Sequence, residues 1–145
     1  MSLMRRLIGD RRGASAVEFA MIIGPLILLV TGSMEFGRIY WTQEVLNETA
    51  AAGSRCMGLP ESGCRAGAAY DAAATRSFVT SFAAGRGITL TPTDIAVNRA
   101  ASCRGLAGFS EVRLTYSFET PLPLLDVLMD GMTLTSVACF PNQPV

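Results

Sequence analysis

The longest apolar stretch of the chain lies close to its beginning and sets the first expectation. Twelve consecutive residues, Phe19–Val30, carry no charge and no strongly hydrogen-bonding side chain, and residues 14–34 contain one ionised group, Glu18. A helix needs about 20 predominantly apolar residues to cross the hydrocarbon core of a bilayer. The pattern therefore predicts one membrane-spanning helix that starts near residue 14.

The helical spacing continues beyond this stretch, but it becomes amphipathic. Apolar or small residues recur there every three or four positions: Phe36, Ile39, Tyr40, Leu46, Ala50 and Gly53. Charged residues occupy other positions of the same segment, which is typical of a helix with one buried face. A helix over residues 14–55 would be roughly 63 Å long, so half of it would project beyond the bilayer as an amphipathic stalk.

The remainder of the chain changes from helical periodicity to strand periodicity. Gly58–Pro60 and Gly63 break the first helix, an alanine-rich second helix is predicted over Arg65–Ala84, and Gly85–Gly87 ends it. Alternating apolar and polar residues then predict three strands. They cover Ile95–Val97, Val112–Phe118 and Met132–Val137.

Two connections between these strands carry their own expectations. Ile88–Thr91 is a possible earlier start of the first strand, before Pro92 interrupts it, and Pro121–Met129 is predicted as a short apolar turn of helix before an Asp130–Gly131 turn. The predicted fold class is α+β, with a long membrane-spanning helix that continues into a stalk, a second helix, and a small antiparallel sheet. The predicted organisation is a leader over 1–13, helix and stalk over 14–55, and an extracytoplasmic α+β domain over 56–145.

The distribution of charge predicts the orientation of the span. The first 13 residues have a net charge of +3, from four arginines and Asp10, whereas the part beyond residue 31 has a net charge of −2. Arginines that flank a span favour the cytoplasmic side, and Tyr40 and Trp41 suit the opposite interface. Nearly everything after about residue 42 is therefore expected outside the cytoplasm.

The composition argues against catalysis. The chain has no histidine and no lysine, which removes the usual general base, the commonest metal ligand and any Schiff-base amine. We find no phosphate-binding glycine loop and no metal triad, and the neutral net charge gives no basic surface for nucleic acid. We therefore expect no enzyme activity, no cofactor and no bound metal.

Four cysteines follow the apolar stretch: Cys56, Cys64, Cys103 and Cys139. An even number without a CxxC pair suits disulfides in an oxidising compartment better than a zinc site. A Cys56–Cys64 bond would close a short loop between the two predicted helices, and Cys103 would then pair with Cys139. The other two connectivities remain open at this stage.

Glu18 is the most informative residue of the apolar helix. An ionised carboxylate at the centre of a membrane costs about 2.5–3.5 kcal/mol, so it needs a partner, a role, or a hydrated position at the headgroup boundary. Cleavage after Gly13 would make Ala14 the first residue and Glu18 the fifth. The new α-amine of one chain could then approach the Glu18 carboxylate of another in a bundle of staggered helices.

Gly13 and Glu18 match the prepilin pattern, and here the sequence resembles the type IV pilin superfamily. The Glu18–Phe19 pair, the Gly24–Pro25 pair and the segment MEFGRIYWTQEVLNETAAAGSR at 34–55 are similar to TadE-like minor pilins of tight-adherence (Tad, Flp-type) pili. The resemblance covers residues 11–55. Its implication is a minor pilin or pseudopilin, and TadF-like proteins are close relatives that remain an alternative.

The resemblance also implies partners and a location. A prepilin peptidase would remove residues 1–13 at the cytoplasmic face of the bacterial inner membrane, and the C-terminal domain would be periplasmic or part of the extracellular pilus. The implied partners are membrane lipid, TadF-like and other minor pilins, the major Flp-type pilin and the inner-membrane assembly platform. Whether the subunit caps, primes or is spread through the filament is left open, as is any host or surface ligand.

Small residues and a proline mark the face on which such helices would pack. Ala16, Ala20 and Gly24 are four residues apart, so they line one side of the span and permit close approach of another helix. Pro25 removes one backbone hydrogen bond and is expected to kink or loosen the helix. Small residues and a tolerated proline are also common in ordinary membrane helices.

Two other functions are consistent with the same sequence. A secreted binding domain or enzyme would have an ordinary signal peptide, with residues 1–12 as its basic region, 19–30 as its apolar region and cleavage after Gly32. A signal-anchored envelope protein would keep its leader. The mature N-terminus separates the three interpretations, because it would be Ala14, Ser33 or the intact start respectively.

Overall fold

The computed structural model describes residues 12–59, 63–66, 69–121 and 131–143, without the side chains of residues 12, 14, 65 and 66. Two helices are described, α1 (Arg12–Gly58) and α2 (Ala72–Ala84), with a 3₁₀ turn at Pro92–Asp94. The strands are β1 (Arg65–Ala66), β2 (Ala69–Tyr70), β3 (Ile95–Cys103), β4 (Leu106–Ser117) and β5 (Thr133–Pro141). The chain falls into two compact units, one up to Arg38 and one from Ile39 onward.

Helix α1 confirms the predicted long helix and is 47 residues long. Its end at Gly58 coincides with the predicted break. The amide of Leu59 still donates to the carbonyl oxygen of Arg55 at 3.1 Å. Helices usually end at or before the residue that precedes a proline, and Pro60 follows directly in the sequence.

The part of α1 in the second unit has one buried face. Its buried residues recur at helical spacing: Val45, Leu46, Thr49, Ala50, Gly53 and Met57. The prediction that Phe36 and Tyr40 share this apolar face was wrong, since they are 71% and 63% exposed. At about 100° per residue, Tyr40 lies roughly 120° around the helix from Leu46, and Phe36 is one turn before Tyr40.

The second helix is shorter than predicted. Where its first turns were expected, β1 and β2 pair instead as antiparallel strands, Arg65 with Tyr70 and Ala66 with Ala69. The helix starts at Ala72 because Asp71 is extended and its carboxylate accepts a hydrogen bond from the amide of Ala73 at 2.8 Å. The predicted end is confirmed, with Gly87 at a φ of 82°.

Strands β3, β4 and β5 form one antiparallel sheet in that order. All three predicted strands are confirmed and are longer than predicted, but Phe118 and Met132 lie just outside β4 and β5. Ile95 pairs with Leu114, and Ser117 pairs with Thr133. The β3–β4 connection is a two-residue turn in which Arg104 (φ 53°) and Gly105 (φ 83°) both have positive φ, as the twist of a tight hairpin requires.

The suggested earlier start of β3 was wrong. Ile88 and Leu90 are buried, but they precede the 3₁₀ turn and are not part of a strand. Pro92 has no amide to donate to a ladder, and Asp94 instead accepts a hydrogen bond from the amide of Thr91 at 2.7 Å. The helical turn predicted for Pro121–Met129 and the Asp130 position lie outside the described residues, except for Pro121.

The core of the second unit lies between the two helices and one face of the sheet. Leu46 and Met57 of α1, Val79 of α2, and Val112 and Leu114 of β4 belong to one cluster of buried side chains. On β4 the even-numbered residues from Ser110 to Leu114 are buried and the alternate residues are not. Both helices pack on the same face of the sheet, so no described residue covers the opposite face.

Polar contacts join α1 to β5 along their length. The Gln43 side-chain amide donates to the carbonyl oxygen of Thr135 at 3.1 Å, and the Ser136 hydroxyl donates to Asn47 at 2.8 Å. The amide of Gln143 donates to the carbonyl oxygen of Gly58 at 2.9 Å. That last contact satisfies one of the carbonyl groups left without a partner where a helix ends.

Two disulfides are present, Cys56–Cys64 and Cys103–Cys139. The first links the last turn of α1 to the residue before β1 and is buried. The second joins the end of β3 to β5, across the intervening strand β4.

Candidate assembly helix

The proposed cleavage point lies within the first turn of α1. Gly13 and Ala14 both have helical backbone, and Gly13 is exposed. A glycine inside a helix is about 1 kcal/mol less favourable than an alanine, so this turn is easier to unwind than those that follow. Residues 1–11 of the predicted leader lie outside the described residues.

Glu18 is exposed on the side of α1, one turn beyond Ala14. Within the part of the chain that the structure describes, no ion pair involves Glu18. The three ion pairs found there are Glu35–Arg38, Glu48–Arg86 and Glu111–Arg113. A carboxylate in this position is available to a cation supplied from outside the described chain.

The small residues predicted to form a packing face are also exposed. Ala16, Ala20 and Gly24 are solvent-accessible, and a Cβ placed on Gly24 would meet no atom within 4 Å. Pro25 lies inside α1, and the helix continues through it. Because proline has no amide, the carbonyl of Met21 lacks its usual partner there.

Nearly all large apolar side chains of this segment are exposed as well, for example Val17 at 60% and Val30 at 48%, whereas Ile23 is half-buried. An 18-residue stretch of this helix has a mean hydropathy of 1.9, and none of its residues is buried. A helix that is apolar all round needs lipid or other protein around it. The described part of the chain thus contains one helix long and apolar enough to cross a membrane.

An ion pair near the end of the apolar segment was missed by the sequence analysis. A guanidinium nitrogen of Arg38 lies 3.0 Å from each carboxylate oxygen of Glu35. The spacing of three residues between Glu35 and Arg38 could have indicated this ion pair, because residues i and i+3 are neighbours on a helix surface. Tyr40 and Trp41 follow at once and are 63% and 64% exposed.

These features define a class of protein: a chain with one apolar N-terminal helix that continues without a break into a small α+β domain. A comparison of sequences shows which family the first part of the chain resembles. The family model of TadE-like proteins matches residues 13–55, from Gly13 to the last turn of α1. The resemblance predicted from the sequence is confirmed over this segment, which covers less than a third of the chain.

The match supports an association with the Tad pilus system. TadE-like proteins are pilus-associated structural proteins and are not known as enzymes. Comparisons with curated proteins and with solved structures gave no match. The sheet domain, which lies beyond the matched segment, is therefore described by its own geometry alone.

Proposed function

We propose that this chain is a minor pilin or pseudopilin of a Tad, Flp-type pilus, and that it enters or primes the filament through α1. The observation that supports the proposal most directly is the exposed apolar surface of α1 within the TadE-like match. Lipid covers this surface before assembly, and neighbouring helices cover it afterwards. The subunit acts by packing and performs no catalysis.

The leader is removed by a prepilin peptidase between Gly13 and Ala14 at the cytoplasmic face. The net charge of +3 in the first 13 residues supports this orientation. The distance from Ala14 to Tyr40 along the helix is roughly 39 Å, close to the 40–45 Å of a bilayer with its headgroups. Tyr40 and Trp41 therefore mark the periplasmic interface, and the sheet domain is periplasmic.

Glu18 serves as the charge that positions one helix against another. After cleavage, the α-amine of Ala14 is a cation one helical turn before Glu18, so a neighbouring helix offset by about one turn can bring its own amine beside this carboxylate. Pairing between the amine of one chain and Glu18 of a neighbour offsets the cost of about 2.5–3.5 kcal/mol for a carboxylate in the apolar layer. Ala16, Ala20 and Gly24 allow the close helix approach that this pairing needs.

The folded domain favours a minor role in the filament. The second unit begins at Ile39 and has its own buried core, whereas the resemblance implies that major pilins of these systems are much shorter. The expected partners are TadF-like and other minor pilins, the major Flp-type pilin and the inner-membrane platform. The alternative of a secreted domain cleaved after Gly32 is less consistent with a family match that runs through Gly32 and Ser33. The signal-anchored alternative differs from the proposal in keeping its leader, so the mature N-terminus separates the two.

The proposal is tested by replacing Glu18 in cells that assemble the pilus. Glu18→Ala should leave the amount of membrane-inserted protein unchanged and reduce the amount recovered in sheared pili. Glu44→Ala is a matched control, because Glu44 is an exposed glutamate further along the same helix. Equal recovery of the two variants in the pilus fraction would refute the role of Glu18.

A further inference from the structure

The two disulfides have different surroundings. The cysteines of the first bond are almost completely buried, with exposures of 8% for Cys56 and 0% for Cys64. Of the second bond, Cys139 is exposed and Cys103 is half-buried. A thiol in solution can therefore reach the second bond in the folded domain, but it cannot reach the first without local unfolding.

The exposed bond lies in an open depression on the outer face of the sheet. The depression has a volume of about 600 Å³, and Leu106, Phe109 and Val137 line it beside the disulfide. Val137 and Leu106 are 46% and 64% exposed. There is accordingly room beside the bond for an approaching thiol and for the apolar side chains that flank this thiol in its own protein.

A carboxylate lies beside the same bond. Glu111 of β4 is paired in register with Cys139 of β5, and one of its oxygens lies within 4.8 Å of the sulfur atoms of Cys103 and Cys139. These three groups do not form a metal site, because the two sulfurs are bonded to each other. The remaining charged groups nearby are Arg113, 3.4 Å from Glu111, and Arg104 at the rim of the depression.

We propose that Cys103–Cys139 is the thiol–disulfide exchange site of the folded domain, and that Glu111 slows the exchange. A thiolate of a dithiol partner attacks the sulfur of Cys139. The bond to Cys103 breaks, and Cys103 leaves as a thiolate that takes a proton from water. The second thiolate of the partner then attacks the partner's own sulfur in the mixed disulfide. The bond to Cys139 breaks, and Cys139 leaves as a thiolate that takes a proton from water. The partner is thereby oxidised by two electrons to a disulfide, and both cysteines become thiols.

The effect of Glu111 follows from charge. Negative charge is spread over the attacking, central and leaving sulfurs during exchange, and a carboxylate within 4.8 Å opposes it. At a partly exposed site this repulsion corresponds to about a tenfold lower rate. Arg113 reduces the repulsion by partly neutralising the carboxylate.

Reduction of this bond should loosen one end of β3 without unfolding the domain. The β3–β4 ladder has register shifts between Asn98 and Ala101 and between Ala101 and Cys103, so the backbone pairing is weakest beside the disulfide. The side-chain amide of Asn142 donates a hydrogen bond to the carbonyl oxygen of Arg99 at 2.8 Å, and this contact does not involve the disulfide. The buried cluster on the opposite face does not include either sulfur.

The experiment uses the full chain in nanodiscs, treated with dithiothreitol for increasing times and then alkylated. Peptide mapping gives the rate at which each cysteine becomes labelled, and circular dichroism follows the fold. We expect Cys103 and Cys139 to be labelled together, at least tenfold faster than Cys56 and Cys64, while the spectrum stays native. Equal rates, or labelling that coincides with loss of the spectrum, would overturn the exchange site.

The role of Glu111 is tested by two substitutions with opposite expected effects. Glu111→Gln should raise the rate of reduction about tenfold, whereas Glu44→Gln, on the exposed face of α1, should leave it unchanged. Arg113→Gln should lower the rate about twofold to threefold, which keeps the test decisive if the first variant folds poorly. A Glu111→Gln rate equal to the control, or an Arg113→Gln rate above wild type, would contradict the role of Glu111. None of these measurements depends on pilus assembly.

Discussion

Gly53 lies where α1 packs closely against α2 and β4, and Gly53→Ala tests this packing. A Cβ at this position would lie 2.7 Å from a methyl carbon of Val79 and 3.3 Å from one of Val112. Both valines are fully buried, so neither can turn toward solvent. The substitution should therefore overpack the core at the point where both helices meet the sheet.

The magnitude follows from two opposing terms. Replacing glycine by alanine within a helix gains about 1 kcal/mol of intrinsic helix stability, while overpacking a core by one methyl group costs about 1–3 kcal/mol. Gly37→Ala is the matched control, since it lies in the same helix and its Cβ would meet no atom within 4 Å. The difference between the two variants isolates the steric cost, about 1–3 kcal/mol.

The assay is thermal unfolding of the full chain in detergent, followed by near-ultraviolet circular dichroism. One kcal/mol shifts the Tm of a domain of this size by about 4–8 °C. Gly53→Ala should thus unfold roughly 4–24 °C below Gly37→Ala. A Gly53→Ala protein that is as stable as Gly37→Ala would refute the close approach of α1, α2 and β4.

Three further predictions concern α1. Gly13→Leu should block removal of the leader and leave a precursor larger by 13 residues on a gel; normal processing would contradict the cleavage site. Glu18→Ala should insert normally and be depleted from sheared pili, as measured against Glu44→Ala. Trp41 is the one tryptophan of the chain, so its fluorescence in bilayers should be quenched more by lipids brominated near the headgroup than by lipids brominated deep in the acyl chain. The reverse order would place Trp41 away from the interface.

The elements that the sequence predicts well are those with a clear period. The apolar run of α1 and the alternation of β3, β4 and β5 identify both helix and strands, because burial on one side repeats every 3.6 or every two residues. The face of a helix is harder to assign. Tyr40 and Leu46 are both apolar, and only the packed structure shows that Tyr40 points away from the core.

The prediction of the first turns of the second helix was wrong for a local reason. Alanine is a strong helix former, so residues 65–70 matched a helical composition. Residues 65–66 and 69–70 nevertheless form two paired strands, directly after the buried Cys56–Cys64 bond. Asp71 was the available signal for the true start, since an aspartate before a run of alanines is a common helix cap.

One candidate site is visible in the sequence, and the other depends on the folded structure. Gly13 and Glu18 are marked by their spacing and by the family resemblance, so the sequence indicates them directly. Glu111 and its distance from the Cys103–Cys139 bond depend on the register between β4 and β5. The alternation of apolar residues assigns Glu111 to the outer face, but it does not show which residue of β5 lies opposite Glu111.

The most direct test of the account is the mature N-terminus of the protein, measured by mass spectrometry of the membrane and pilus fractions. The account predicts a chain that begins at Ala14 in both fractions, and an intact leader in a strain that lacks the prepilin peptidase. A chain that begins at Ser33, or one that keeps residues 1–13 in the wild-type strain, would contradict the pilin assignment.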